Sequence, residues 1–241
     1  MISVLLAAYC GENYIAEQIA SILPQLRWRD ELLVSDDSPE GHTATREAVL
    51  AFADERIRYM QGPRQGVIKN VEYLLTQARG DILVLCDQDD VWLPDKLKCT
   101  RSTLVQCGPA LLIHDAKLTD ENLRVTEESL FRLRGAKQGF WRNLLKNGYT
   151  GCCMAFTREL LPHILPFPEG IPMHDQWIGL QAERLGRVEW MEGPTYILHR
   201  RHGGAQTGGG STLRQKIAWR RRLLRALLLR WEKQESKHGE K

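Results

Sequence analysis

Short, wholly apolar runs alternate along the first half of the chain with stretches in which apolar residues recur every three or four positions. Ile2–Ala8 is a β-rich run, and Asn13–Leu26 follows with Ile15, Ile19, Ile22 and Leu23 at helical spacing. Leu32–Ser35, Ile57–Gln61 and Ile82–Cys86 repeat the first type. Thr43–Ala53 and Val67–Ala78 repeat the second, the latter with Val71, Leu74, Leu75 and Ala78 on one stripe before Gly80. Pro94 opens a further helix reaching about Gln106. This alternation predicts an α/β fold: a mostly parallel sheet flanked by helices, with ligands at the carboxyl ends of its strands.

The second half is less regular. Leu111–His114, Val188–Met191 and Tyr196–His199 read as strands, and Trp141–Leu145, Arg158–Leu165 and Asp175–Leu185 as helices. Ala116–Gly139 is polar and reads as loop-rich, and Gly203–Gly210 as a glycine-dense linker. From Leu213 to Trp231 a helical projection puts Leu213, Ile217, Leu224, Leu227, Leu228 and Trp231 on one face. Arg214, Arg221, Arg222 and Arg225 lie on the other, with Arg220 intruding on the apolar stripe.

Composition sharpens that division. The chain of 241 residues is 43% hydrophobic and 26% charged, which fits a globular protein and excludes wholesale disorder. Its net charge of +3 hides a tail at 213–241 with ten Lys/Arg and three Glu, so the remaining 212 residues carry −4. A basic amphipathic helix with Trp predicts a separate module that docks on a membrane surface, or packs on protein with its arginines solvated. Nucleic-acid binding is set aside because no stacking aromatics interleave with the arginines. No apolar run approaches the ~20 residues of a membrane span, and no basic region precedes Ile2–Ala8, so the expectation is a cytoplasmic protein. The six cysteines (10, 86, 99, 107, 152 and 153) form no C-x-x-C pair and are expected to be reduced core thiols.

Candidate chemistry lies just after the strands. The second runs into Asp36-Asp37 and the fourth into Asp87-Gln88-Asp89-Asp90. A parallel sheet brings these five carboxylates to one rim, where they repel one another unless a cation sits among them. Oxygen ligands favour a hard ion, Mg²⁺ or Mn²⁺, of the kind that holds a diphosphate. The alternative is that each Asp simply caps a helix.

Six stretches carry a resemblance to a known family. They are Val4–Tyr9, Leu33–Ser38, Gly66–Asn70, Gly80–Ile82 through Asp87–Trp92, Met173–Trp177 and Leu198–Gly204. In this order they resemble the family 2 glycosyltransferases, which have the glycosyltransferase-A fold, and among them the bacterial rhamnosyltransferase-like branch. The chain departs from the family's usual pattern at Cys10, Ser38-Pro39, Gln176 and His199–Arg201. The resemblance implies a nucleotide-binding set of Ala8, Tyr9, Asp36, Asp37, Gly66, Lys69, Asn70, Asp87 and Gln88. Tyr9 would stack on the base and Asp37 would accept from a ring N–H. It also implies a metal set of Asp87, Asp89 and His202 for Mn²⁺ or Mg²⁺, and Asp175 as general base at the start of a helix. His174 reads as its packing neighbour.

Residues 1–110 would then form a nucleotide-sugar-binding half and 111–212 the acceptor-binding half of the same domain, with 213–241 the tail. The implied activity is inverting, metal-dependent transfer of a sugar (rhamnose, galactose or glucose, for example) from a TDP- or UDP-linked donor. The acceptor would be a surface-polysaccharide or lipid-linked saccharide hydroxyl, reached from the inner face of the cell membrane. Two alternatives compete. A sugar nucleotidyltransferase would carry a glycine-rich basic loop where Tyr9–Asn13 stands. A non-catalytic nucleotide-binding scaffold would not need Asp89 or Asp175.

Overall fold

The computed structural model describes residues 1–105, 108, 110–202 and 212–239. Its first half winds as the hydrophobic pattern predicts: β1 (Ile2–Ala8), α1 (Ile15–Ile22), β2 (Glu31–Asp36), α2 (Ala44–Leu50), β3 (Ile57–Gln61), α3 (Val67–Gln77) and β4 (Ile82–Asp87). The four strands are parallel, and β1 lies between β2 and β4 with its side chains buried on both faces. Helix α1 ends after two turns, and Pro24 tightens Leu23–Gln25 into a 3₁₀ turn. After β5 (Val91–Trp92), α4 runs from Lys96 to Leu104, so Pro94 precedes the helix and does not start it.

The second half completes the same sheet and adds another. In order come β6 (Leu111–His114), β7 (Lys117–Thr119), β8 (Val125–Glu127), α5 (Leu130–Arg134), α6 (Phe140–Leu145), β9 (Met154–Thr157), α7 (Leu161–Ile164), α8 (His174–Leu185), β10 (Val188–Met191), β11 (Ile197–Arg200) and α9 (Leu213–Gly239). The main sheet has the order β10-β6-β9-β4-β1-β2-β3, and β9 runs antiparallel to both of its neighbours. The segment expected to be loop-rich supplies β7, β8 and α5. A four-stranded sheet, β5-β11-β7-β8, joins the residues after β4 to the residues around β11.

Helix α9 is not a separate module. Leu223 and Leu227 are fully buried against the body, and Arg220 turns inward with them. The Arg220 Nε donates to the Leu145 carbonyl at 2.8 Å, which is why an arginine belongs in the apolar stripe. The Trp231 indole donates to Gln181 Oε1 at 2.9 Å and packs on Phe140. Cys10, Cys86, Cys99, Cys152 and Cys153 are free thiols. Cys107 and the Gly203–Gly210 linker lie outside the described residues, as does the Gly203-Gly204 end of the last motif. Among the described residues no helix is long and apolar enough to cross a membrane.

Candidate active site

Register sets the rim. Ala8 pairs with Asp36 of β2, and Ala7 with Asp87 of β4, so three strands end side by side. The chain leaves β1 through Tyr9, whose side chain is half exposed (50%). The Gln88 amide is zipped to the Tyr9 backbone: it accepts from the Tyr9 N–H at 2.7 Å and donates to the Tyr9 carbonyl at 3.0 Å. A Cβ on Gly11 would sit 2.2 Å from Gln88 Oε1, so a side chain there would push this amide aside.

Asp36 and Asp37, adjacent in sequence, go to different work. Asp36 is fully buried. Its Oδ1 accepts from the Ser38 N–H at 3.0 Å and from the Ser38 hydroxyl, and its Oδ2 accepts from Tyr59 at 2.9 Å. Burial pushes the Tyr59 phenol well up, and the bond to Asp36 pushes it further. Asp37 points at the loop before α3, taking the Arg64 N–H on Oδ1 and the Gly66 N–H on Oδ2 at 2.8 Å. Gly66 enters α3 with φ of 86°, a conformation glycine adopts without strain. Asn70 is buried behind the rim, donating to the Ser35 carbonyl at 2.9 Å. Lys69 pairs with Glu72 at 2.6 Å. Ala8, Tyr9, Asp37, Gly66 and Gln88 are therefore joined at the rim, with Asp36 and Asn70 buried behind them and Lys69 paired along α3.

The carboxylates after β4 cluster with two histidines. Burial, then the charges of Asp90 and Asp89, raise the Asp87 carboxyl to about 7. Asp89 Oδ2 lies 2.8 Å from His202 Nε2, whose ring packs on Tyr14 with centroids 4.8 Å apart. Asp90 Oδ1 meets His199 Nδ1 at 2.9 Å, while its Oδ2 is buried with no partner among the described residues. Burial opposes the His199 cation, but Asp90 outweighs it and raises the imidazole to about 9. Cys152 Sγ lies 3.7 Å from the same His199 nitrogen. The part of this Asp87 shift that comes from the neighbouring carboxylates is what a divalent cation would relieve. Carboxylate oxygens with one imidazole are a donor set such an ion accepts. Of the three expected ligands, Asp89 and His202 are in contact and Asp87 feels the Asp89 charge. The ligand atoms within 4.8 Å of one another among the described residues are instead those of Asp90, Cys152 and His199.

Arg200 ties this cluster together, and sequence reasoning passed over it. Nearly buried, it donates from Nε to the Asp89 carbonyl at 2.9 Å and from Nη1 to the Glu121 carbonyl at 2.5 Å. It pairs with Glu17 and lies 4.9 Å over the Tyr14 ring. The signal available was its place between His199 and His202 in the last motif.

Across the rim, Asp175 is the second residue of α8 and is buried. Burial pushes its carboxyl up, while hydrogen bonds from Asn147 and the Gln176 N–H pull it part of the way back. Both reach Oδ1, at 3.0 and 2.6 Å, leaving Oδ2 without a partner among the described residues. The Asp175 charge is one of those that raise Asp87, so the two carboxyls lie within each other's field. His174 is buried, and burial lowers its pKa, which keeps the imidazole neutral. Asn147, just after α6, had no motif to mark it.

Residues 3–165 match the family described as glycosyl transferase family 2. The UDP-Glc:alpha-D-GlcNAc-diphosphoundecaprenol beta-1,3-glucosyltransferase WfgD of Escherichia coli is 26% identical over 169 residues, 70% of this chain and 64% of its own. Residues 1–349 of Staphylococcus aureus TarS, solved with UDP-GlcNAc, superpose with a TM-score of 0.72 at 18% identity, covering 95% of this chain and 66% of that one. Glucosyl-3-phosphoglycerate synthase from Mycobacterium tuberculosis, solved with Mn²⁺, UDP and glucosyl-3-phosphoglycerate, has a TM-score of 0.56 at 26% identity, covering 95% and 79%. The chain thus spans just under two thirds of the length of both WfgD and the TarS fragment.

Proposed function

The chain belongs to glycosyl transferase family 2, and from that premise we propose that it transfers one sugar, with inversion, from a UDP- or TDP-linked donor to an acceptor hydroxyl. The observation that carries this reading is a buried, half-satisfied Asp175 within the field of Asp87, beside the Asp89–His202 pair. Tyr9 offers its exposed ring to the nucleobase. Asp37 is held rigid by two backbone N–H groups and keeps a second lone pair on each oxygen for a base N–H. Asp87, Asp89 and His202 would hold Mn²⁺ or Mg²⁺. Such an ion, when bound, neutralises the diphosphate and stabilises the charge that develops on the leaving nucleotide.

Asp175 Oδ2 accepts the acceptor's hydroxyl proton as that oxygen attacks the anomeric carbon and the bond to the diphosphate breaks. One displacement inverts the centre, and no covalent intermediate on the protein is needed. The Asn147 amide holds the carboxyl with its unpartnered oxygen available. For the acceptor we propose a surface-polysaccharide or lipid-linked saccharide. The diphosphoundecaprenol in the name of WfgD and the basic α9 support it, and the protein would work from the cytoplasmic face of the membrane with residues 213–231 against it.

Asp175→Asn tests the reading. Transfer is expected to fall by about 10²–10⁴, the typical worth of a general base, while donor affinity measured by calorimetry stays within about twofold. Transfer at the wild-type rate would remove Asp175 as the base.

A further inference from the structure

Helix α6 is short, and its two faces do different things. Asn143 and Leu144 are buried, whereas Trp141 and Leu145, one turn apart on the same stripe, are 68% and 61% exposed. Two large apolar side chains so placed contribute little to the fold of the chain itself. Their neighbour is α9: Arg220 donates to the Leu145 carbonyl, and Phe140 packs between Trp141 and Trp231. At 100° per residue, Ile217 and Leu228 lie on the flank of α9 nearest Arg220 and Trp231, the side that meets α6. They are 48% and 47% exposed.

The two segments that carry these four residues are charged with one sign. Residues 135–147 contain Lys137, Arg142 and Lys146 and no acid. Residues 213–231 contain seven Lys/Arg and no acid. Arg214, Arg221 and Arg225 are exposed beside Ile217 and Leu228. An apolar patch of this kind, rich in cations and with Glu183 on the Gly139 N–H and Glu232 as the acids beside it, complements an anionic bilayer, where the rings and aliphatic chains enter the headgroup boundary and the arginines meet lipid phosphates. A second copy of the chain would bring the same cations together at its centre.

We propose that α6 and α9 form one membrane-docking face, with Trp141 and Leu145 as its apolar anchors. This deepens the membrane reading above and rests on it, assigning α6 to a contact that the basic helix alone would otherwise carry. The face reaches the site: two residues after Leu145, Asn147 donates to Asp175. Seating α6 on a bilayer therefore fixes the candidate base just above the lipid surface.

The test is sedimentation of the full chain with vesicles of phosphatidylglycerol and phosphatidylethanolamine, and with phosphatidylcholine alone. The wild type is compared with Trp141→Glu/Leu145→Glu and with Ile217→Glu/Leu228→Glu. Donor-induced thermal shifts, in which none of these residues takes part, check that each variant is folded. The wild type is expected to bind the anionic vesicles only, and each double variant to lose affinity by about tenfold or more. An α6 variant that binds as the wild type does would overturn the proposal and leave α9 as the sole contact. Absence of wild-type binding to any vesicle would overturn both this proposal and the membrane reading. If the α6 variant alone turned a wild-type dimer into a monomer, the face would be a protein interface and the proposal would fail.

Discussion

Asp175 is pulled in two directions. Burial favours its neutral form, whereas the N-terminus of α8 and the Asn147 amide favour the carboxylate a base requires. Removing Asn147 shifts the balance toward the proton. In Asn147→Ala the acid limb of the kcat/KM profile is expected to move to higher pH, by roughly one unit for a hydrogen bond to a charged group. A limb that stays or moves lower would show that Asn147 does not govern this carboxyl. Asp175 was legible in the sequence because Met173–Trp177 matches a family motif. Asn147 was not, since a lone Asn after a helix looks the same whether it faces solvent or a base. The same limit separates Asp36 from Asp37. Both end an apolar strand, and only the packed structure turns one down onto Tyr59 and the other toward Gly66.

Elements decide how the rim is held. The short strands β5 and β11 pair only because the chain returns from α8 and β10 to the loop after β4, and that pairing brings His199–His202 onto Asp89 and Asp90. Arg200 is the clasp. Arg200→Met would leave the Asp89 and Glu121 carbonyls without their donor, at a cost of about 3 kcal/mol. Metal-dependent donor affinity should weaken with it, and Arg200→Lys should restore only part because a single ammonium cannot reach all the partners. Wild-type melting and donor affinity in Arg200→Met would contradict this role. Long, strongly periodic elements such as β1 and α3 were readable from spacing. Strand β9 and the pairing of β11 with β5 and β7 were not, because β5, β7 and β8 run two or three residues, too short to carry a period, and their partners lie far away in sequence. Helix α9 was readable as a helix, but its seam was not. The side that faces the body carries the buried Leu223 and Leu227 with Arg220 on the Leu145 carbonyl, and no hydropathy pattern reveals a carbonyl waiting for an arginine.

At the scale of the whole molecule, an acidic body of −4 gathers five carboxylates at or just after the ends of β2 and β4, and a helix of opposite sign lies on its flank. The separation suits an enzyme that gathers a metal–diphosphate donor at one place and meets an anionic surface at another. The measurement that reaches the central claim most directly is a thermal-shift screen of nucleoside diphosphates and nucleotide sugars. Each is tested with Mn²⁺, with Mg²⁺ and with chelator. A ligand held only by the folded state, at hundredfold excess over its Kd, adds about 2.7 kcal/mol. For a chain of this size that corresponds to a rise in Tm of roughly 5–10 °C. Such a rise is expected for uridine or thymidine diphosphates and their sugars, present with metal and lost with chelator. No shift with any nucleotide under any of the three conditions would contradict it.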